Sequence, residues 1–221
     1  EQSVDGIIMD LRNNGGGSLY DVVQMVGFFI PDGPIVQVKD RDGNPQVLRD
    51  RDRSVLYDGP LAVMVNEFSA SASEIFAAAI QDYGRGIVIG STSTYGKGTV
   101  QRNIGLEPST GLFNKEATDI GTIKLTLQKF YRINGGSTQF KGVTPNIILP
   151  DQYESLKYRE KDNPDALPWD EIPRAFYNRI SPGYDMDYVK KTSATRVAAN
   201  PTFNAIKESS SLMETASQRV Y

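Results

Sequence analysis

Hydrophobic and polar positions alternate in blocks along the chain. Ile7, Ile8, Met9 and Leu11 form a nearly unbroken apolar run within Gly6 to Leu11, the signature of a strand buried on both faces. The run ends at Asn13-Asn14-Gly15-Gly16-Gly17, a stretch that takes positive φ freely. Leu19, Val22, Val23, Val26, Phe29 and Ile30 then recur at helical spacing until Pro31-Asp32-Gly33-Pro34 stops them. Ile35 to Val38 and Gln46 to Leu48 are short β-prone pieces beside the charged stretches Lys39 to Asn44 and Arg49 to Arg53, a pattern that predicts an exposed hairpin.

Leu61 to Val65 predicts a second buried strand, and after the small residues Ser69 to Ser73 a helix follows with Ile75, Phe76, Ala79 and Ile80, closing at Asp82-Tyr83-Gly84-Arg85. Gly86 to Ile89 is the third such strand. The order strand, helix, strand, helix, strand argues for an α/β core with parallel strands joined by crossover helices. Further strands are expected at Val100 to Ile104, Gly121 to Leu127 and Phe130 to Ile133, then a hairpin turn at Asn134-Gly135-Gly136. Val143 to Leu149 reads as an edge strand interrupted by Pro145.

After Pro150 the sequence turns polar, Tyr-rich and punctuated by Pro164, Pro168, Pro173, Pro182 and Pro201, with a helical piece over Tyr184 to Ala199. The expected division is therefore a core over 1–150 and a mainly helical appendage over 151–221, anchored through Leu167, Trp169, Ile172 and Phe176.

Composition removes more chemistry than it suggests. The 221 residues contain no histidine and no cysteine, so Ser-His-Asp triads, thiol nucleophiles and His-bearing zinc sites are excluded. No Asp/Asn ladder of calcium-loop spacing occurs, so no metal and no cofactor is assigned. With 24 basic and 27 acidic side chains and a net charge of -3, nucleic acid and anionic lipid are not expected partners. The chain opens at Glu1 with no signal segment and contains no apolar run near the ~20 residues a bilayer crossing needs, the pattern of a soluble, trimmed chain.

A hydrolase without His or Cys needs Ser or Thr activated by Lys, a carboxylate pair, or a metal. Ser69-Ala70-Ser71-Ala72-Ser73-Glu74 lies at a strand-to-helix junction, where unpaired helix N–H groups suit an oxyanion on Ser71. Ser71 and Glu74 also have the spacing of a capping box, which alone would explain both residues. Downstream, Tyr95-Gly96-Lys97-Gly98-Thr99-Val100-Gln101 holds a lysine between two glycines. An amine serves as base for a serine only if burial pulls its pKa below the ordinary value of roughly 10.4, so Lys97 is expected to be buried. Gln101 can orient that amine. The phosphate-loop spacing is not met, because position 91 is Ser and position 98 is Gly. The glycine turn at 15–17 offers a second oxyanion donor beside the Ala72 N–H, each such donor contributing roughly 3 kcal/mol.

These three motifs, in this order, resemble the tail-specific or C-terminal processing proteases of peptidase family S41. The likeness extends through Lys129 to Gln139 and Gly142 to Pro145, and Ala166-Leu167-Pro168-Trp169-Asp170 is similar to the long periplasmic branch. The resemblance implies a ClpP/crotonase-like α/β serine protease core and a Ser-Lys dyad. Ser71 would be the nucleophile, Lys97 the base and Gln101 its orienter, with Ala72 and Gly16 forming the oxyanion hole and Asp82 in a supporting place. It also implies protein or peptide substrates with accessible C-termini, room for a lipoprotein adaptor, and a periplasmic location with association to the inner membrane. Against the family pattern the loop Gly90 to Gly96 is one residue longer, and the chain starts inside the protease core without a PDZ-like module, as a fragment would. A non-hydrolytic binding or scaffold module of the same fold is the alternative. A crotonase-like acyl-CoA enzyme ranks below both, because it leaves Ser71 and Lys97 without a task.

Overall fold

The computed structural model describes residues 4–43, 45–106 and 121–217. Its elements run β1 (Ile7–Asp10), α1 (Leu19–Gly27), β2 (Gly33–Asp40), β3 (Gln46–Asp50), β4 (Leu61–Val65), α2 (Ala72–Tyr83), β5 (Ile87–Gly90), β6 (Thr99–Gly105), β7 (Thr122–Tyr131), β8 (Ile147–Ile148), α3 (Met186–Ala199) and α4 (Pro201–Ser217).

Two four-stranded sheets result. The first is parallel, in the order β1-β4-β5-β8, with Ile7 opposite Leu61, Val63 opposite Val88 and Ile89 opposite Ile147. The second is antiparallel, in the order β3-β2-β7-β6. Helix α2 packs against both β5 and β2, and every residue from Ala72 to Ile80 is buried. A helix apolar all round is what such an enclosed position requires. Its Phe76 meets Phe29, just beyond α1, edge to face at 5.9 Å, and Val26, Ile30, Ile35, Val63, Val88 and Ile133 complete the core.

Four expectations need correction. β1 is an edge strand with Ile8 69% exposed, not buried on both faces. Helix α2 packs on this sheet at β5, and β4 alternates between buried and half-buried positions rather than being buried throughout. The hairpin of β2 and β3 does form, but β2 is buried from Gly33 through Val38, because it sits between β3 and β7 and packs on the helices. Asn44, the last residue of the charged stretch Lys39 to Asn44, lies outside the described residues. The two strands expected over 121–133 are one, β7, continuing to Tyr131 before the turn at Gly135, where Tyr131 bridges Ser137.

In the segment after Pro150, Leu167 and Phe176 are exposed rather than anchoring, and Ala175 and Arg159 are the buried residues among those described. Trp169 is half-buried, donating its indole N–H to the Ser137 carbonyl at 3.0 Å under the Lys141 ammonium, 3.4 Å from the ring centroid. Pro201, read as a break, opens α4, since proline fits the first helical position where its missing N–H costs nothing. No helix among the described residues is long and apolar enough to cross a membrane.

Candidate active site

Three loops leave the C-terminal ends of β1, β4 and β5 and converge. The first carries Gly16, the second Ser71 and the third Lys97. The carboxyl ends of parallel strands are where α/β sheets commonly place their chemistry.

The serine loop is fastened to the first loop by hydrogen bonds that leave its position little freedom. The Ser69 hydroxyl donates to the Leu11 carbonyl at 2.7 Å, while the Ala70 N–H and the Ser73 hydroxyl both donate to the Asn14 carbonyl at 3.0 Å. Ser71 itself sits at φ 57, ψ -114, a conformation few non-glycine residues adopt and one that costs of order 1–3 kcal/mol. Ser71 is the N-cap residue of α2 and Glu74 reaches back to its N–H as in a capping box, but the serine hydroxyl itself makes no capping hydrogen bond. The Ala72 N–H has no acceptor among the described residues, as expected for the first N–H of a helix.

Gly16 abuts this elbow. At φ 100, a Cβ on it would lie 2.7 Å from the Ala70 carbonyl oxygen and 2.8 Å from both the Ala72 nitrogen and the Ser71 Cβ, so only glycine fits. Its N–H, however, is donated to Asn14 Oδ1 at 2.9 Å.

Lys97 is half-buried rather than deeply buried. Its neighbours fix the backbone on both sides: Gly98 donates to Gln139 Oε1 at 2.8 Å, and a Cβ there would lie 2.4 Å from the Gln139 nitrogen. Ser71, Ala72, Lys97 and Gln101 line one cavity of about 270 Å³ together with Gly17 and Lys124. Gln101 is exposed on β6 and its amide donates to the Thr126 hydroxyl at 3.4 Å, so in this structure it is held by the neighbouring strand. Asp82 stands at the far end of α2, eleven positions from Ser71 or about 16 Å along a helix. It pairs with Arg132 at 2.5 Å and accepts from the Asn134 amide at 3.0 Å, tying α2 to the turn after β7.

Glu74, one turn into α2, is the residue whose importance the capping pattern hid. It is fully buried, and its two oxygens collect four donors. Oε2 accepts the Ser71 N–H at 2.8 Å and the Lys97 N–H at 2.9 Å; Oε1 accepts the Thr94 hydroxyl at 2.5 Å and the Gly96 N–H at 2.7 Å. Burial pushes this carboxyl up from 4.5 to about 7, against the opposing pull of Thr94 and the N–H groups of Gly96, Ser71 and Lys97. The readable signal was a charged side chain inside a helix with no polar face, which must find partners.

The chain is similar to known proteins along most of its length. Residues 1–149 match the model of peptidase family S41, and residues 153–220 match the C-terminal domain of tail specific protease. The chain is 43% identical over 214 residues to the tail-specific protease of Haemophilus influenzae, covering 94% of this chain and 30% of that protein. It is 36% identical over 166 residues to the carboxy-terminal processing protease CtpA of Bacillus subtilis, covering 73% and 32%. Its fold resembles the solved photosystem II D1 C-terminal processing protease with a TM-score of 0.56 at 29% identity, over 66% of this chain and 35% of that one. It also resembles mature CPAF with a TM-score of 0.54 at 17% identity, over 66% and 39%. The chain spans about a third of the length of these curated relatives.

Proposed function

Because this chain belongs to peptidase family S41, we propose that it carries the hydrolytic centre of a serine endopeptidase that trims or degrades proteins from or near their C-termini. The observation that carries this reading is the shared carboxylate: Glu74 Oε2 holds the backbones of Ser71 and Lys97 at once, and both side chains open into one cavity. In the proposed reaction the Lys97 amine takes the Ser71 hydroxyl proton as the serine oxygen attacks the scissile carbonyl. The resulting oxyanion is held by the Ala72 N–H and by the glycine turn beside it. Lys97 then returns the proton to the leaving amine, and water, activated by the same base, releases the acyl group from Ser71.

The oxyanion partner from the first loop is Gly16 once its N–H leaves Asn14, and Gln101 orients the amine once its amide leaves Thr126. Asp82 supports the site through the scaffold, by its bonds to Arg132 and Asn134. By kinship with the tail-specific proteases we place the working protein in the periplasm, acting on chains with accessible C-termini. The alternative of a non-hydrolytic module of the same fold is favoured by one observation, that Gln101 and the Gly16 N–H are engaged elsewhere. Cleavage of an unstructured substrate separates the two. Ser71→Ala in the native protein is expected to abolish cleavage with little change in thermal stability, and undiminished cleavage would contradict the protease reading.

A further inference from the structure

The loop that presents Lys97 has no regular secondary structure between β5 and β6, and its sequence of small and hydroxylic residues offers little order of its own. Part of what holds it comes from the chain beyond Pro150, outside the stretch that matches the S41 model. Arg159 is only 4% exposed. Its guanidinium donates to the Ser93 carbonyl at 3.4 Å and the Thr92 hydroxyl at 3.3 Å. It also meets both carboxylate oxygens of Glu154, Oε2 at 2.9 Å and Oε1 at 3.3 Å. Thr92 closes the ring by donating to Glu154 Oε1 at 2.6 Å.

One residue on, the Glu160 N–H donates to the Tyr95 carbonyl at 2.9 Å. The other end of the loop is joined to the same segment through Gln139. This fully buried side chain accepts the Gly98 N–H and donates to Glu160 Oε1 at 3.0 Å and to the Leu167 carbonyl at 3.2 Å. Residues 92, 93 and 95 are thus bound directly to residues 154–160, and residue 98 is joined to residues 160 and 167 through Gln139, with Lys97 between the two attachments.

We propose that the segment 154–167 is a brace for the lysine loop and that Arg159 is its principal positioning residue. The proposal rests on the Ser71–Lys97 reading for its catalytic consequence. A planar guanidinium presents several donors in a fixed fork, so one side chain ties the loop carbonyl, the loop hydroxyl and the Glu154 carboxylate together, and the carboxylate neutralises the buried charge. Proton transfer needs the amine within hydrogen-bond reach of the serine, and a displacement of about 1 Å can cost on the order of a hundredfold in rate. A loosened loop would therefore lower turnover more than substrate binding.

The test uses the native protein carrying Arg159→Ala, Arg159→Lys or Glu154→Gln. Amide hydrogen exchange over 93–97 is read together with kcat per titrated active site. Exchange is expected to rise at least tenfold in Arg159→Ala, and kcat per site to fall at least tenfold with KM within about twofold. Arg159→Lys is expected to recover little, because an ammonium cannot bridge all three partners. A purely structural role would reduce the number of active sites and leave kcat per site unchanged, which would overturn the proposal. Should Arg159→Ala not fold, Glu154→Gln, a third exposed at its side chain, reads the same loosening. Unchanged exchange in it and in Arg159→Lys would equally overturn the brace. Full turnover in Ser71→Ala would instead remove the dyad reading, and the exchange result would still decide whether the brace exists.

Discussion

Glu74 accepts the backbone N–H of Lys97 at 2.9 Å from inside the helix that begins at the candidate nucleophile. The same oxygen accepts the Ser71 N–H, so the spacing of two loops distant in sequence is set by one carboxylate. Glu74→Gln retains the shape but replaces an acceptor by a donor, leaving at least one buried N–H unpaired. A loss of about 1–3 kcal/mol in stability is expected, with turnover at least tenfold lower. Denaturant unfolding and steady-state kinetics on the same preparation check both.

The pH dependence of stability carries a second signature of this residue. Burial raises its folded pKa to about 7 from an ordinary value of 4.5. The neutral form is therefore favoured by folding, and the stability it contributes is fully present below 4.5 and lost as pH climbs through about 7. The difference between the native protein and Glu74→Gln should change across that window by on the order of 3 kcal/mol. Unfolding midpoints at pH 4.5, 6 and 8 measure it; a difference that stays flat contradicts the burial of an ionisable carboxyl.

Gly16→Ala and Gly15→Ala form a matched pair. A Cβ at 16 would press on the Ser71 elbow at under 3 Å in a left-handed conformation, whereas at 15 nothing lies within 4 Å. Gly16→Ala is expected to cost roughly 1–3 kcal/mol and nearly all activity. Gly15→Ala should behave close to the native protein in thermal unfolding and cleavage.

Asp82 acts through the scaffold. Its buried pair with Arg132 has side chains 5% and 17% exposed, and breaking such a pair from one side costs about 3–5 kcal/mol. Asp82→Ala is expected to lower the unfolding midpoint sharply while kcat per titrated active site changes little. Active-site titration beside calorimetry separates the two effects.

Much of this was legible in the sequence because local pattern and packing agree. Leu61 to Val65, the helix through Ile75 and Ile80, and the strand at Ile87 to Ile89 lie where their apolar runs put them, and the serine falls at the helix start. Val143 to Leu149 does hold an edge strand, shortened to β8; what pattern could not show was that β1 lies at the other edge. Ile8 and Val36 have similar apolar neighbours in sequence, yet one is exposed and the other buried, because sheet order is a long-range property. Glu74 was hidden for a related reason. Its capping spacing is a complete local explanation, and its partners Thr94, Gly96 and Lys97 are 20 residues or more away.

The most direct measurement is the site of modification by a fluorophosphonate probe, mapped by mass spectrometry on the native protein. A single adduct on Ser71, absent from Lys97→Ala while the variant keeps its fold, is the expected result. An adduct that persists in Lys97→Ala, or that forms elsewhere and leaves Ser71 unmodified, would contradict the Ser71–Lys97 centre.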